Sequence, residues 1–486
     1  MKQLRIHQGS KEEIIQVQEG ANLLDVLRSH GYTITANCGG NGRCRKCLVS
    51  VNDHPKLSCQ TFITDDMVIE LDEIPQSPIT PSTYTMGPYH IAIDLGTTTM
   101  AGYLVDGNTQ AIIQSISMLN PQMSYGADVI TRISQASIGH LHDMHQLIIR
   151  AINEIIKKLL PRELPHRLVI SGNTVMLHLL LDLDPTLMGK SPYQPRFLEH
   201  KELMGSDLGL LAKNVTILPS ISSFIGADVV AGCIKIDLLN ELENALLIDL
   251  GTNGEMMLKV NNHYYATSTA AGPAFEGTNI EKGMGAITGA ISHITYDGEL
   301  HIETIAGEAR GICGSGLIDS IAILRKENLI DDSGLLVNNP NSKLSSYLKD
   351  QRFFITNQIY ITQKDIREFQ LAKSAIRSGI GILLDKAGVT THDVLKVYVA
   401  GGFGFFMNQD SGITVGIIPE EWMNKLIIIG NSSGLGSVMV ASNPSLITKY
   451  QQLIQKVKII DLNQEPSFND YFIQYLSFDQ HKEDEQ

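Results

Sequence analysis

Hydrophobic and polar positions alternate at the start of the chain, over residues 3 to 8 and 13 to 18. Alternation with a period of two is typical of strands that bury one face, and the polar stretch "QGSK" between the two runs predicts a turn. The first residues therefore predict a β-hairpin.

A helix and two more strands are predicted directly after the hairpin. The stretch "GANLLDVLRSHG" places Leu23, Leu24 and Leu27 on one face of a helix. Short apolar runs follow at residues 47 to 51 and 67 to 71. A hairpin, a helix and further short strands in this order predict a small domain of the β-grasp type.

A longer pattern occurs twice in the rest of the chain. "HIAIDLGTTTMAGYLVDGNTQAIIQSIS" begins at residue 90, and "ALLIDLGTNGEMMLKVNNHYYATST" begins at residue 245. Each predicts strand, tight turn, strand, polar turn and strand, and each contains "IDLGT". Asp94 therefore matches Asp249, and Gly96 matches Gly251. A duplicated opening of this kind predicts two similar lobes around a cleft.

The stretch "DEIPQSPITPSTYTMGP" lies between the predicted N-terminal domain and the first of these repeats. It contains four prolines but no apolar period, which predicts a semi-extended linker. The expected organisation is an N-terminal domain at 1–73, a linker at 74–88, a first lobe at 89–244, a second lobe at 245–430, and a C-terminal return segment with an acidic tail at 431–486.

Composition narrows the class of protein. With 486 residues, 43% of them hydrophobic, the chain predicts a folded protein of several domains. A net charge of −14 argues against a nucleic-acid partner. We expect no membrane association, because no apolar run approaches the roughly 20 residues of a membrane helix. The start of the chain does not resemble a signal peptide, so we expect a cytoplasmic protein, in which clustered cysteines are metal ligands or redox groups.

Four cysteines fall in the predicted N-terminal domain, at Cys38, Cys44, Cys47 and Cys59. Their spacing is C-x5-C-x2-C-x11-C, with three on one glycine-rich loop and one outside it. A structural zinc site is the alternative, but zinc sites usually pair their ligands in two C-x2-C units. The spacing favours a 2Fe-2S cluster of the plant ferredoxin type, although the first spacer of that type is usually x4.

Three glycines, Gly39, Gly40 and Gly42, lie between these cysteines. They are expected to let the backbone pass close to a cluster and to direct N–H groups at its sulfides. Such clusters transfer one electron at a reduction potential of about −400 mV. The N-terminal domain is therefore expected to carry electrons rather than to bind a substrate.

Both "IDLGT" turns have the chemistry of phosphate-binding loops. Gly96 and Gly251 allow close approach of the backbone, and the residues that follow can donate hydrogen bonds to phosphate oxygens. These residues are Thr97, Thr98, Thr99, Thr252, Asn253 and Gly254. We expect Asp94 and Asp249 to hold Mg²⁺ directly or through water, and Glu255 to orient a water for hydrolysis.

A third element, "KVYVAGGFG" at 396–404, predicts a strand that ends in Gly401, Gly402 and Gly404, against which an adenine can lie. Together with the two turns, it resembles the superfamily of acetate and sugar kinases, heat-shock chaperones and actin. That resemblance implies an α/β fold with two ribonuclease-H-like lobes that close on ATP.

The whole chain resembles the ATP-dependent reductive activators of corrinoid proteins. The likeness rests on the domain order, the cysteine spacing, the paired "DLGT" turns, and the stretches "AIRSGI" and "AGGFG". It implies one-electron reduction of Co(II) to Co(I) with ATP hydrolysis, a 2Fe-2S cluster held by the four cysteines, and ATP with Mg²⁺ at the turns. It also implies a corrinoid protein and an upstream low-potential reductant as partners. It does not decide whether the protein forms a homodimer.

Three alternatives remain at this point. The first is an ATP-gated electron donor to another low-potential enzyme, such as a 2-hydroxyacyl-CoA dehydratase. The activators of those enzymes carry a cluster inside the ATPase body, where this chain has only Cys233 and Cys313, which we expect to be buried apolar residues. The second is a small-molecule kinase with a regulatory cluster, and the third is a chaperone-like binding protein.

Overall fold

The structure is a computed structural model. It describes residues 1–8, 11–30, 32, 34, 36, 39, 40, 42, 47–71, 87–401 and 407–479. The chain divides into two compact units, each described below by itself. The first comprises Met1–Asp228 and Ser437–Ile447, and the second comprises Val229–Gly436 and Thr448–Gln486.

The first unit begins with a five-stranded sheet and one helix, which we call the N-terminal domain. Its elements are β1 (Lys2–Gln8), β2 (Lys11–Val17), α1 (Leu23–Ser29), β3 (Leu48–Val51), β4 (His54–Leu57) and β5 (Met67–Leu71). The strand order is β2-β1-β5-β3-β4, with β1 parallel to β5 and the other neighbours antiparallel. This order confirms the β-grasp prediction. In the predicted hairpin, Gln8 pairs with Lys11, so both ends of "QGSK" belong to strands.

The apolar face of α1 forms the centre of the N-terminal domain. Leu23, Leu24 and Leu27 are almost completely buried and belong to one cluster with residues of β1 and β5. The side chain of Asn22 caps the helix, because its oxygen accepts from the backbone N–H groups of Leu24 and Asp25. The predicted helical face is therefore confirmed.

A second sheet, with the helices around it, makes up the first lobe. Its strands are β6 (Tyr89–Leu95), β7 (Thr99–Asp106), β8 (Ile112–Leu119), β9 (Arg167–Gly172), β10 (Lys201–Met204) and β11 (Asn214–Ile217). Its helices are α2 (Val129–Gln135), α3 (Leu141–Leu159), α4 (Thr174–Leu180) and α5 (Gly205–Leu208). The strand order is β8-β7-β6-β9-β11-β10.

Over its described residues, the second unit, which we call the second lobe, contains one large sheet and two small ones. The unit boundary crosses α6 (Ala227–Lys235), α10 (Ser432–Ser442) and α11 (Ser445–Ile454). The other helices are α7 (Gly314–Lys326), α8 (Gln363–Ala387), α9 (Gln409–Thr414) and α12 (Phe468–Leu476). The strands are β12 (Ala245–Leu250), β13 (Gly254–Val260), β14 (His263–Thr269), β15 (Ala290–Tyr296), β16 (Leu300–Thr304), β17 (Gly311–Ile312), β18 (Leu348–Lys349), β19 (Arg352–Phe354), β20 (Tyr360–Thr362), β21 (Lys396–Ala400), β22 (Leu426–Gly430) and β23 (Val457–Ile459).

The large sheets of the two lobes share one topology. The order in the second lobe is β23-β14-β13-β12-β21-β22. In each lobe the first strand along the chain, β6 or β12, continues on one side into two antiparallel neighbours. On its other side it has two parallel neighbours, which gives the orders β8-β7-β6-β9-β11 and β14-β13-β12-β21-β22. Each "IDLGT" therefore occupies the end of the first strand and the turn into the second. The prediction of two ribonuclease-H-like lobes is confirmed.

Helix α8 packs along the large sheet of the second lobe and carries the stretch "AIRSGI". Thr362 and Asp365 form a capping box at its start, and Gly388 caps its end in the left-handed region at φ +68°. A Cβ atom on Gly379 would lie 3.1 Å from Cε of Met256 on β13. This stretch is therefore buried packing surface, in which a small residue lets the helix approach the sheet.

The two cysteines outside the N-terminal domain are buried, as predicted. Cys233 lies in α6, where burial raises the pKa of its thiol to about 12. The thiol of Cys313, just before α7, donates to the carbonyl of Ile291 at 3.3 Å. Within the described ranges, none of the helices combines the length and apolar character needed to cross a bilayer.

Candidate cluster and phosphate sites

Two of the four predicted cluster ligands are described, and their sulfur atoms lie together. Cys47 comes directly before β3, and Cys59 lies in the short 3-10 helix that follows β4. The β3–β4 hairpin brings them together, and Ser58 fixes the junction because its N–H and Oγ both donate to the carbonyl of Cys47. The two Sγ atoms are 3.2 Å apart and form no disulfide.

The glycines of the predicted cluster loop have the expected backbone. Gly39, Gly40 and Gly42 have φ angles of +65°, +97° and +73°, a region that favours glycine. A Cβ atom on Gly40 would lie 3.9 Å from Cβ of Cys59, so the loop passes close to that cysteine. The other two predicted ligands, Cys38 and Cys44, lie outside the described residues.

Two cysteine sulfurs that converge beside a glycine loop fit a thiolate-held metal centre. Cys47 is 1% exposed, so its sulfur faces the interior of the domain rather than solvent. Among the described residues, which hold half of the proposed ligand set, no group of three or more histidine, cysteine or acidic side chains is positioned for a metal ion.

The first turn, Gly96–Thr98, joins β6 to β7 and is held in place by Asn120. Nδ2 of Asn120 donates to the carbonyl of Gly96 at 2.8 Å, and the backbone N–H of Asn120 donates to the carbonyl of Thr98 at 2.8 Å. Gly96 is itself required, because a Cβ atom there would lie 2.4 Å from the carbonyl oxygen of Thr99. The predicted site residues of this turn therefore lie on a loop with fixed carbonyls.

Arg132 is a second support of the first turn that the sequence analysis missed. This arginine on α2 is fully buried, and one guanidinium nitrogen donates to the carbonyl of Thr97 at 2.5 Å. Its other nitrogens donate to the carbonyl of Gly126 and to Oε1 of Gln122. In a trans peptide the C=O and N–H point in opposite directions, so the N–H groups of Thr97 and Thr98 are directed away from Asn120 and Arg132.

The second turn, Gly251–Asn253, joins β12 to β13 and brings two predicted carboxylates onto one face. Asp249 and Glu255 are directly opposite each other on the antiparallel strands, so their side chains share a face of the sheet. Glu255 is 7% exposed, and Asn253 Nδ2 donates to its Oε1 at 3.2 Å. Gly254 begins β13 and is buried.

A third carboxylate contacts the second turn and was not predicted. The hydroxyl of Thr252 donates to Oε1 of Glu276 at 2.8 Å. Glu276 ends a short 3-10 helix more than twenty residues further along the chain, and no local pattern marks it. The second turn is therefore surrounded by acidic side chains to a greater extent than its sequence indicates.

The two turns differ despite their shared motif. In the first lobe the residue opposite Asp94 is Ala101, seven positions along, whereas in the second lobe the residue opposite Asp249 is Glu255, six positions along. Four residues separate Leu95 from its partner Met100, whereas three separate Leu250 from its partner Gly254. The first lobe also lacks the carboxylate that the second lobe holds at this place. The candidate group for orienting a water therefore belongs to the second lobe.

Gly401 lies against the second turn. It follows β21, the strand next to β12, and has a φ angle of +94°. A Cβ atom there would lie 2.3 Å from the carbonyl oxygen of Leu250 and 2.8 Å from Oδ1 of Asp249. The glycine therefore leaves room for the acidic end of β12. Gly402 and Gly404 lie outside the described residues.

The glycines of the two turns are expected to tolerate alanine differently. Gly96→Ala should lower the free energy of unfolding by about 1–3 kcal/mol, because the added Cβ would overlap the carbonyl of Thr99. Gly251→Ala is the matched control, since its nearest atom would be 3.8 Å away. Thermal unfolding of both variants measures the difference, and equal losses would contradict the close approach at Gly96.

Comparison with known protein families assigns all three regions. Residues 6–72 match the "2Fe-2S iron-sulfur cluster binding domain", residues 89–241 match the "RACo middle region", and residues 243–486 match the "C-terminal domain of RACo the ASKHA domain". The last of these matches alone covers half of the chain.

Two curated proteins and one solved structure are similar over most of their length. The corrinoid activation enzyme RamQ of Eubacterium limosum is 30% identical, over 88% of this chain and 91% of that protein. The "[Co(II) methylated amine-specific corrinoid protein] reductase" of Methanosarcina barkeri is 26% identical, over 80% and 77%.

The solved structure of a "reductive activator for corrinoid,iron-sulfur protein" superposes with a TM-score of 0.75 at 24% identity, over 98% of both chains. It shares the fold described above. The family matches and the full-length relatives agree with the order of the N-terminal domain and the two lobes. The chain therefore belongs to the RACo family of reductive activators of corrinoid proteins, with a 2Fe-2S ferredoxin-type domain ahead of a two-lobed ASKHA region.

Proposed function

We propose that the protein reduces the cobalt of a corrinoid protein from Co(II) to Co(I) by one electron, and that it couples this step to ATP hydrolysis. The observation that carries the proposal is the presence, on one chain, of two converging cysteine sulfurs beside a glycine loop and two phosphate-type turns on duplicated lobes. A kinase has no need of the first feature, and a simple electron carrier has no need of the second.

The electron-carrying centre of the proposal is a 2Fe-2S cluster held by Cys38, Cys44, Cys47 and Cys59. The 3.2 Å separation of two of these sulfurs and the positive φ angles of the intervening glycines support it. When bound, such a cluster supplies one electron at low potential. The residues around Cys47 hold its sulfur away from solvent and beside Cys59. An upstream low-potential reductant would restore the electron.

The nucleotide-binding part of the proposal assigns residues of each turn, together with Mg²⁺. Thr97, Thr98, Thr99, Thr252, Asn253 and Gly254 would donate to phosphate oxygens, and Gly401, Gly402 and Gly404 would lie against the adenine. Asp94 and Asp249 would hold Mg²⁺. Magnesium usually keeps several waters and takes one or two carboxylates plus phosphate oxygens, which is the kind of ligand set that these residues would supply.

Glu255 is proposed to orient the attacking water. It lies opposite Asp249, and Asn253 holds one of its carboxylate oxygens. A carboxylate that is held in place and largely shielded from bulk water can accept a hydrogen bond from a water and direct its lone pair at the γ-phosphate. The first turn has Ala101 at this position and is assigned to phosphate binding alone.

The need for ATP follows from the potentials. For a one-electron step, each ~59 mV of difference in reduction potential changes the equilibrium constant tenfold. A donor at about −400 mV therefore cannot reduce an acceptor of much lower potential to a useful extent. ATP can shift that equilibrium only if the protein binds the two states of its partner unequally. The activities named for the relatives, a corrinoid activation enzyme and a Co(II) corrinoid protein reductase, support cobalt as the acceptor.

The test combines the protein, a chemical reductant and a corrinoid protein, with and without MgATP. We expect the absorption of Co(I) to grow with ATP and to remain near the background without it, because the unassisted step is uphill. ADP and a non-hydrolysable ATP analogue are the controls. Co(I) formation that is unaffected by ATP would contradict the coupling, and a phosphorylated small molecule among the products would favour a kinase instead.

A further inference from the structure

The N-terminal domain is docked on the first lobe through a buried arginine. Arg28, at the end of α1, is 5% exposed, and one of its guanidinium nitrogens donates to the carbonyl of Ser124. Its Cζ lies 4.4 Å from the ring centroid of Tyr125, and Nη1 donates to Asp25 of its own helix at 3.1 Å. Burial lowers the pKa of Arg28, while Tyr125 and Asp25 oppose that shift. A planar guanidinium can make the carbonyl and ring contacts together.

The predicted cluster loop takes part in the same contact. The N–H of Ala36 donates to the carbonyl of Met123 at 3.3 Å, and Nε2 of Gln135 donates to the carbonyl of Gly39 at 3.4 Å. A Cβ atom on Gly39 would lie 2.9 Å from Nε2 of Gln135 and 3.2 Å from the carbonyl oxygen of Tyr125. The loop therefore reaches this part of the lobe at the residue that follows Cys38.

All these partners on the lobe belong to residues 120–135, which we call the docking segment. The same segment holds the first turn through Asn120 and Arg132, and Gln122 links the two. Gln122 donates its N–H to Oδ1 of Asn120 and accepts from Arg132, and all three side chains are fully buried. The cluster loop and the first turn are thus separated by one continuous hydrogen-bonded layer.

We infer that the docking segment couples nucleotide binding at the first turn to docking of the N-terminal domain, so that each strengthens the other. The inference rests on the proposed nucleotide site. A phosphate oxygen that accepts from the N–H of a turn peptide polarises its carbonyl, which strengthens the bond from Asn120 or Arg132. The carbonyl of Gln122 accepts from the N–H of Tyr125 at 2.8 Å, and the carbonyl of Pro121 accepts from the hydroxyl of Ser124 at 2.9 Å, so the same segment positions the partners of Arg28. The coupling has to be reciprocal, because the bound nucleotide and the docked N-terminal domain stabilise the same conformation of the docking segment.

This arrangement assigns Arg28 and Arg132 as positioning residues. With nucleotide bound, the cluster loop is held against the first lobe. Without nucleotide, the contact weakens and the N-terminal domain is more readily released, within reach of the upstream reductant. ATP would thereby control the place of the electron carrier as well as the state of the acceptor.

The test measures nucleotide affinity and amide hydrogen exchange in the full-length protein with its cluster. Arg28→Ala should weaken ADP binding about fivefold, a coupling within the usual range. In the wild type, ADP should slow exchange in a peptide covering the docking segment and at Ala36, and Arg28→Ala should remove the effect at Ala36. Arg28→Lys should restore part of the affinity, and Gln135→Ala should show a smaller loss.

Arg5→Ala is the matched control, because Arg5 belongs to the same domain, is half exposed and contacts Glu12 of the neighbouring strand. It should leave both readouts unchanged. Cluster absorption and exchange in β1 report whether the variants keep a folded N-terminal domain. Equal ADP affinity and equal exchange in the wild type and Arg28→Ala would overturn the inference alone. Failure of the wild type to bind ADP at all would overturn it together with the proposed nucleotide site.

Discussion

Cys59→Ser is expected to remove the visible absorption of the cluster and to reduce ATP-dependent Co(I) formation by roughly 100-fold or more. Replacing a residue that only supports a metal ligand already costs up to about that factor in metal affinity or activity. The sulfur of Cys59 lies 3.2 Å from that of Cys47, and a serine hydroxyl at this place is a far weaker ligand for iron. ATP hydrolysis by the two lobes should continue. Absorption spectroscopy and the Co(I) assay measure the two effects.

Cys313→Ser is the matched control for that substitution. Cys313 is also buried, and its thiol donates to the carbonyl of Ile291, a bond that a hydroxyl can keep. This variant should retain both the absorption and the activity. If Cys59→Ser behaved like Cys313→Ser, Cys59 would not be a ligand. If the purified wild type contained zinc and showed no visible absorption, the alternative of a structural zinc site would be correct.

Glu255→Gln is expected to slow ATP hydrolysis by about 10²–10⁴-fold, the usual contribution of a positioned acid or base. The substitution keeps the size of the side chain and the contact with Asn253 but removes the charge that would orient water. Binding of ATP should change little, because Asp249 and the backbone of the second turn are retained. Single-turnover hydrolysis and nucleotide affinity, measured on the same sample, separate the two effects.

Glu299→Gln is the control for the loss of a carboxylate from the second lobe. Glu299 lies in the exposed turn between β15 and β16, so its removal should leave hydrolysis unchanged. Unimpaired hydrolysis in Glu255→Gln would contradict the role proposed for Glu255. Glu276, which accepts from Thr252, would then be the next carboxylate to replace.

The sequence predicted the elements whose signal is local. The alternation in β1 and β2, the apolar face of α1 and the repeated "IDLGT" are each contained in a short stretch, and each was confirmed by the structure. Periodicity works in such cases because a strand or helix buries one face at a fixed repeat. The start of the second strand was predicted wrongly, since β2 begins at Lys11, which pairs with Gln8, and not at residue 13.

The supports of the candidate site were not predictable in this way. Asn120 and Arg132 reach the first turn from 24 and 35 residues further along the chain, and Glu276 reaches the second turn from 24 residues away. Each is a common polar residue with no motif around it. Their roles arise because the fold buries them beside backbone carbonyls or a hydroxyl, where a polar group needs a partner.

The sequence by itself determined the classes of chemistry in this protein. The spacing of the cysteines and the paired "IDLGT" stretches are covalent facts about the chain, and residue types at those intervals indicate thiolate ligation and phosphate binding before any folding is considered. The repeated "IDLGT" also indicated that the two turns are equivalent.

Only the tertiary structure decided how the two turns differ and what lies between the cluster loop and the first turn. Strand register places Glu255 opposite Asp249 but Ala101 opposite Asp94, because four residues separate the last β6–β7 pair and only three separate the last β12–β13 pair. Contacts made across 96 residues of chain bring Arg28 to Ser124. Register and long-range contacts depend on how whole elements pack, and no local stretch of sequence records that packing.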